Sequence, residues 1–146
     1  MKQNIVQQVV KSSFVIALFG LVSATSIAAQ DIQQLPLGST LPLGDVQMED
    51  ISGRNLSLNE VKGDNGLLVI FSCNTCPWVI KWEDRYPVVQ ELATVNDIGF
   101  ILLNPNEDYR EQGDGMEDMI LHAEKAGYNL PYVLDKNHRI ADAFGA

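Results

Sequence analysis

The chain has 146 residues, a formal net charge of −9 and 46% hydrophobic residues. That is enough apolar material for one packed core and too little chain for two ordinary domains. The acidic balance argues against nucleic acid and anionic membrane surfaces as partners, since both repel such a chain.

Residues 1–29 read as a secretory signal peptide. Lys2 and Lys11 supply a positive start, Phe14 to Val22 an apolar centre, and Ser26-Ile27-Ala28-Ala29 small residues for cleavage after Ala28 or Ala29. The apolar centre is shorter than the roughly 20 residues of a spanning helix. Its removal leaves 117 residues with a net charge of −11, destined for the periplasm or secretion and free of the membrane. No cysteine lies near the cleavage site, which argues against a lipid anchor. Residues 30–44 are expected to form a linker, and residues 45–146 the folded domain. Leu-Pro-Leu-Gly occurs at Leu35–Gly38 and again at Leu41–Gly44, too few copies for a repeat architecture.

Within the domain, Asp45–Asp50 and Asn55–Leu58 flank Ser52-Gly53, a hairpin signal. Leu58–Gly63 reads as one helical turn closed by glycine. The apolar run Gly66–Phe71 lacks alternation and is too short for a helix, so it is expected to be a central strand covered on both faces. A helix should start near Asn74 and run to about Val95, with Pro77 tolerated in its first turn and Pro87 kinking it. Ile98–Leu103 is a second buried strand, and Asn104–Gly113 an acidic loop. Asp114 can cap the next helix. Met116, Met119, Ile120 and Ala123 mark that helix's buried face, and Gly127 its end. Pro131–Leu134 is a short strand, and Asn137 opens a last helix through Ile140, Ala141 and Phe144. This alternation predicts an α/β domain with a mostly parallel sheet and helices on both faces.

Cys73 and Cys76 are the only cysteines. They stand three apart at the carboxyl end of the first apolar strand, where open α/β sheets place their sites. A bridge across two residues closes so small a loop that it restrains the unfolded chain little, so stability alone is a poor motive for it. A thiol at a strand-to-helix junction meets free backbone amides and the positive end of the helix dipole, which favour the thiolate. Cys73 is therefore expected to attack a substrate disulfide and Cys76 to resolve the mixed disulfide. Trp78 is a candidate substrate-binding rim beside the pair, whereas Trp82 is expected in the core. Glu83, Asp84 and Arg85 read as a solvated helix face with an ion pair. His122 and His138 are expected at the surface. No metal ligand set and no cofactor is expected.

Phe71-Ser72-Cys73-Asn74-Thr75-Cys76-Pro77-Trp78-Val79 resembles the Phe-x-Cys-Asn-x-Cys-Pro-aromatic-Val signature of the exported redoxin branch of the thioredoxin-like superfamily. The likeness starts at Leu37-Gly38 and takes in Gly53, Leu56–Leu58 and Glu83–Arg85. It ends with Pro131–Asp135 and Ala143–Ala146. It implies a thioredoxin-like fold with an N-terminal hairpin and a sheet flanked by helices. It implies thiol–disulfide exchange with protein or small-molecule substrates, and a redox protein as electron donor or acceptor. Two departures stand out. Ser72 occupies the position usually held by Trp in thioredoxins proper. The Thr-Pro segment with its cis proline, the C-terminal hairpin and the final helix of the family have no counterpart before Ala146, so the sequence reads as truncated. The family offers two alternatives. Copper chaperones of this fold use two cysteines and a distant histidine, although their cysteines are usually separated by three residues, where only Asn74 and Thr75 separate them here. Thiol peroxidases carry Thr three residues before the reactive cysteine; here Ile70 precedes Cys73 by three, and Cys73 precedes Cys76.

Overall fold

A computed structural model describes residues 33–146. The signal segment expected at residues 1–29 lies outside the described residues. Among the described residues five strands and five α-helices follow one another: β1 (Met48–Asp50), β2 (Asn55–Leu56), α1 (Leu58–Val61), β3 (Leu67–Phe71), α2 (Pro77–Trp82), α3 (Tyr86–Thr94), β4 (Gly99–Asn104), α4 (Met116–Ala126), β5 (Tyr132–Leu134) and α5 (Arg139–Phe144). Short 3-10 turns occupy Glu83–Arg85, Glu107–Tyr109 and Lys136–His138. Among the described residues no helix is long and apolar enough to cross a membrane.

The sheet order is β2-β1-β5-β4-β3. β3, β4 and β5 run parallel, with Val69 opposite Ile101 and Leu103 opposite Val133. β1 is antiparallel to both β2 and β5. The sheet is thus mixed where the strand–helix alternation predicted a mostly parallel one, because the β1–β2 hairpin closes on the free side of β5. Its turn uses Gly53 at φ +78°, a conformation that costs glycine nothing.

β3 is an edge strand, not the expected central one, and all five of its residues are half-buried. A continuous apolar run reports that both faces of a strand are covered; it carries no information about neighbours in the sheet plane. Those faces are covered by two separate cores. Ile101 and Leu103 of β4 join Met48, Leu58, Val133 and Ile140, with Val69, Phe71 and Phe144 packed alongside. Phe100 and Leu102 join Ala93, Met119, Leu130 and Tyr132, with Leu68, Ile70 and Val89 alongside. Residues 33–44 lie against the first core: Leu41 packs on it, and the Leu35 amide donates to the Phe144 carbonyl at 3.0 Å.

Helix α1 starts where the sequence placed it, at a capping box. The Glu60 amide donates to Ser57 Oγ at 3.3 Å and the Ser57 amide to Glu60 Oε2 at 2.8 Å. Helix α4 ends at Gly127 in the left-handed conformation, with Met119 and Ala123 on its buried face. Its amino end departs from expectation. Gly115 is the N-cap and its amide donates to Asp118 Oδ2 at 3.3 Å, so Asp114 is free for another task. The last helix begins at Arg139, after left-handed backbone at Asn137 and His138.

Gly99 marks where α1 meets β4: a methyl group there would run into the Val61 carbonyl oxygen. Gly99→Ala is expected to cost about 2–3 kcal/mol, because backbone cannot yield as a side-chain tip does. Urea denaturation checks this, and a loss below about 0.5 kcal/mol would show that the α1 backbone moves aside freely.

Candidate active site

β3 runs into the site. The Ser72 amide still donates to the Leu103 carbonyl at 2.7 Å, so the ladder with β4 reaches one residue past the strand. Ser72 is buried, and its hydroxyl lies 3.4 Å from the Tyr86 hydroxyl. Cys73 follows directly. Asn74 and Thr75 then arch away from the sheet before α2 begins at Pro77, with Cys76 as its N-cap residue. The helix starts three residues later than the sequence predicts. Proline at its first position has no amide to lose and a preset φ.

The late start changes which thiol the helix serves. The Val79 and Trp78 amides, together with the thiol of Cys73, draw the Cys76 thiol below its ordinary pKa, although neither amide closes a regular side-chain cap. Burial pushes the Cys73 thiol up from 9.0 to about 11, helped by the negative charges of Asp114 and of the Cys76 thiolate. The helix start therefore favours ionisation at Cys76 over Cys73, the reverse of the expectation from sequence. Both cysteines are free thiols, half-buried and close enough to shift each other's ionisation. They open onto a cleft of about 730 Å³, walled by Val79 on one side, Asn106 and Tyr109 on another, and His138 and Asp142 opposite.

The Asn74-Thr75 arch is fastened from below by a residue the sequence reading had given a different role. Asp114, fully buried, accepts the Asn74 amide at 2.6 Å and the Thr75 hydroxyl at 2.6 Å. Its oxygens also accept the side-chain amides of Asn104 at 2.9 Å and Asn106 at 2.6 Å. Burial opposes its charge, but these four bonds outweigh it and hold the carboxyl below the ordinary aspartate range. The Asn74 side chain donates to the Gly113 carbonyl at 2.9 Å and accepts the Tyr132 hydroxyl at 2.9 Å. Arg110 ties the surrounding loop, donating to the carbonyls of Asn104 at 2.7 Å and Asp114 at 2.9 Å. The one sequence signal for this cluster is the sudden appearance of Asn104 and Asn106 at the carboxyl end of an otherwise apolar strand.

Trp78 is 69% exposed on α2, with the Lys81 ammonium 5.4 Å from its ring. It stands two residues after Cys76 and is not among the residues that line the cleft. Trp82 is 54% exposed and stacks on the Arg85 guanidinium at 4.2 Å, contrary to the core position expected for it. Trp78 and Trp82 lie one turn apart on a single face of α2, and that face is turned to solvent. Arg85 also pairs with Asp84 at 2.9 Å on the surface, as expected. Glu83 does not share that surface. It turns inward to His122 Nε2 at 2.7 Å and accepts the Tyr128 hydroxyl at 3.5 Å. His122 is thus a half-buried fastening between α2 and α4, not a free surface residue. His138 is exposed and pairs with Asp142 at 3.0 Å, which raises its pKa. Among the described residues no group of three or more His, Cys, Asp or Glu is disposed to hold a metal.

No family model matches the chain, and no curated protein matches it in sequence. Solved structures do match. A hypothetical protein from Sinorhizobium meliloti 1021 superposes with a TM-score of 0.69 at 24% identity, over 78% of this chain and 61% of its own. Peroxiredoxin Q from Xanthomonas campestris gives 0.58 at 17% identity, over 72% and 63%. A candidate protein disulfide isomerase from Bacteroides thetaiotaomicron gives 0.52 at 17% identity, over 66% and 58%. The chain therefore has the thioredoxin-like fold. It spans between 58% and 63% of the length of these three structures.

Proposed function

We propose that this chain is a thiol–disulfide oxidoreductase that works through Cys73 and Cys76 on protein or small-molecule disulfides. The observation that carries the reading is the pair itself: two free thiols just past the carboxyl end of β3, both lining one cleft. The first attack falls to the thiolate of Cys76. It forms a mixed disulfide and expels one substrate thiolate. Cys73 then gives up its proton, attacks the Cys76 sulfur and releases the second substrate sulfur. Two electrons pass to the substrate, whose two thiolates take one proton from Cys73 and one from solvent, and the chain is left with a Cys73–Cys76 disulfide. In reverse, the same steps oxidise a dithiol. Trp78 offers an exposed aromatic surface beside Cys76 for the substrate backbone. A second redox protein restores the starting state. The leader-like residues 1–29 favour an exported compartment, periplasmic or secreted, in which this exchange takes place.

Metal delivery is less well supported, since the histidine nearest the cleft is already paired with Asp142. A peroxidase reading lacks its hydroxyl: Ile70, three residues before Cys73, packs against the second core.

The test is reduction of a protein disulfide such as insulin, with dithiothreitol as electron source. The two-cysteine chain should accelerate it, and Cys73→Ser and Cys76→Ser should each lower the rate at least about a hundredfold, because neither can complete the two-step exchange. Serine variants as active as the unaltered chain would overturn the proposal.

A further inference from the structure

We propose that Asp114 is the positioning residue of the dithiol: its buried carboxylate fixes the Asn74-Thr75 arch between the two cysteines and keeps a negative charge behind both sulfurs. This rests on the exchange reading above and goes beyond it, by naming what sets the poise of the pair.

The geometry requires an acceptor with no hydrogen of its own. Each carboxylate oxygen takes two donors: the Asn74 amide and Asn104 at one, Thr75 and Asn106 at the other. An amide in place of the carboxylate would turn an NH2 group towards two of those donors. Two of the four donors belong to the only two residues that separate the cysteines. The clamp therefore fixes the span over which the disulfide must close, and a fixed span raises the effective concentration of one thiol at the other.

Charge acts in the same place. No cation in this network neutralises the carboxylate, because Arg110 spends its bonds on Glu107, on both oxygens of Asn104 and on the carbonyls of Asp114 and Asp135. The Tyr132 hydroxyl serves Asn74 and stays neutral, its pKa pushed up by burial. His138 and Asp142, on the α5 wall of the cleft, are paired with each other. Tyr109 completes the cleft's titratable groups. The charge of Asp114 thus opposes ionisation at both cysteines. It raises the free energy of the thiolate and so favours the disulfide over the dithiol.

Two measurements test this on the folded chain. In a Cys73→Ser background, iodoacetamide rates against pH report the Cys76 thiol alone. Adding Asp114→Asn should move the midpoint down by about one pH unit, a tenfold gain in thiolate below both midpoints. In the two-cysteine chain, glutathione equilibrium should show Asp114→Asn shifting the pair towards the dithiol by about tenfold, or about 30 mV less negative. Thr75→Val, which loosens the clamp and leaves the charge, should shift the equilibrium in the same direction without lowering the midpoint, and Thr75→Ser should restore it. An unchanged or raised midpoint in folded Asp114→Asn would overturn the role of the charge. Equal equilibria for Thr75→Val and Thr75→Ser would overturn the clamp, and they decide the matter if Asp114→Asn fails to fold. The exchange reading fails differently: the unaltered pair would form no disulfide with glutathione, while the Cys76 midpoint would still report on Asp114.

Discussion

At neutral pH, iodoacetamide is expected to modify Cys76 at least tenfold faster than Cys73. Burial lifts Cys73 from 9.0 to about 11, while Cys76 lies below its ordinary value. Each unit between the two thiols multiplies the thiolate fraction at Cys76 relative to Cys73 about tenfold. Part of that advantage is returned, because a more acidic thiol is a weaker nucleophile; with a Brønsted slope of about 0.4–0.5, each unit costs about threefold. The net preference stays with Cys76. The measurement is the labelling rate of the lone thiol in Cys73→Ser against that in Cys76→Ser across the pH range. The first should level off below the range of an ordinary thiol, the second should still be rising at pH 10. Faster labelling of Cys73 would return the attacking role to the residue the sequence first nominates.

Asp135→Ala is expected to destabilise the fold by about 2–4 kcal/mol, seen as a fall in Tm of roughly 10 °C. Asp135 is 1% exposed, and its carboxylate accepts the Ile140 amide at 3.0 Å and the Ala141 amide at 2.9 Å. No other side chain caps α5, since His138 in its left-handed conformation makes no capping bond. Alanine would leave two buried amides without partners, each costing about 1–3 kcal/mol. The effect reaches the site, because Ala141 and Asp142 of this helix line the cleft. Asp135→Asn keeps one acceptor and should lose less, about 1 kcal/mol. If alanine and asparagine lose equally little, α5 is held by packing of Ile140 and Phe144 instead.

Much of this was legible because the signals are local. The apolar runs at β3 and β4 place their strands, Ser57 with Glu60 starts α1, and Gly127 ends α4. Cys73 and Cys76 fall at the end of the first run whatever lies around them. Several of the misreadings involve partners far along the chain. The sequence extends the second helix back to Asn74, but Asn74 and Thr75 find their hydrogen-bond partner in Asp114, forty and thirty-nine positions away. His122 looks like a surface residue beside an apolar stripe until Glu83 arrives from thirty-nine positions away. Trp82 shares a face with Trp78 at helical spacing, and that face turns outward. Asp114 resembles a helix cap in sequence because caps and buried acceptors use the same residue types.

Helix α2 buries none of its six side chains. It is held mainly at its ends, by the Asp114 anchor before it and by the Glu83–His122 contact after it. Such a segment belongs to the least protected part of a protein, where brief local opening costs little of the global stability. Cys76 travels with that segment, while Cys73 is rooted in the sheet. The seam between soft and rigid parts therefore runs between the two sulfurs.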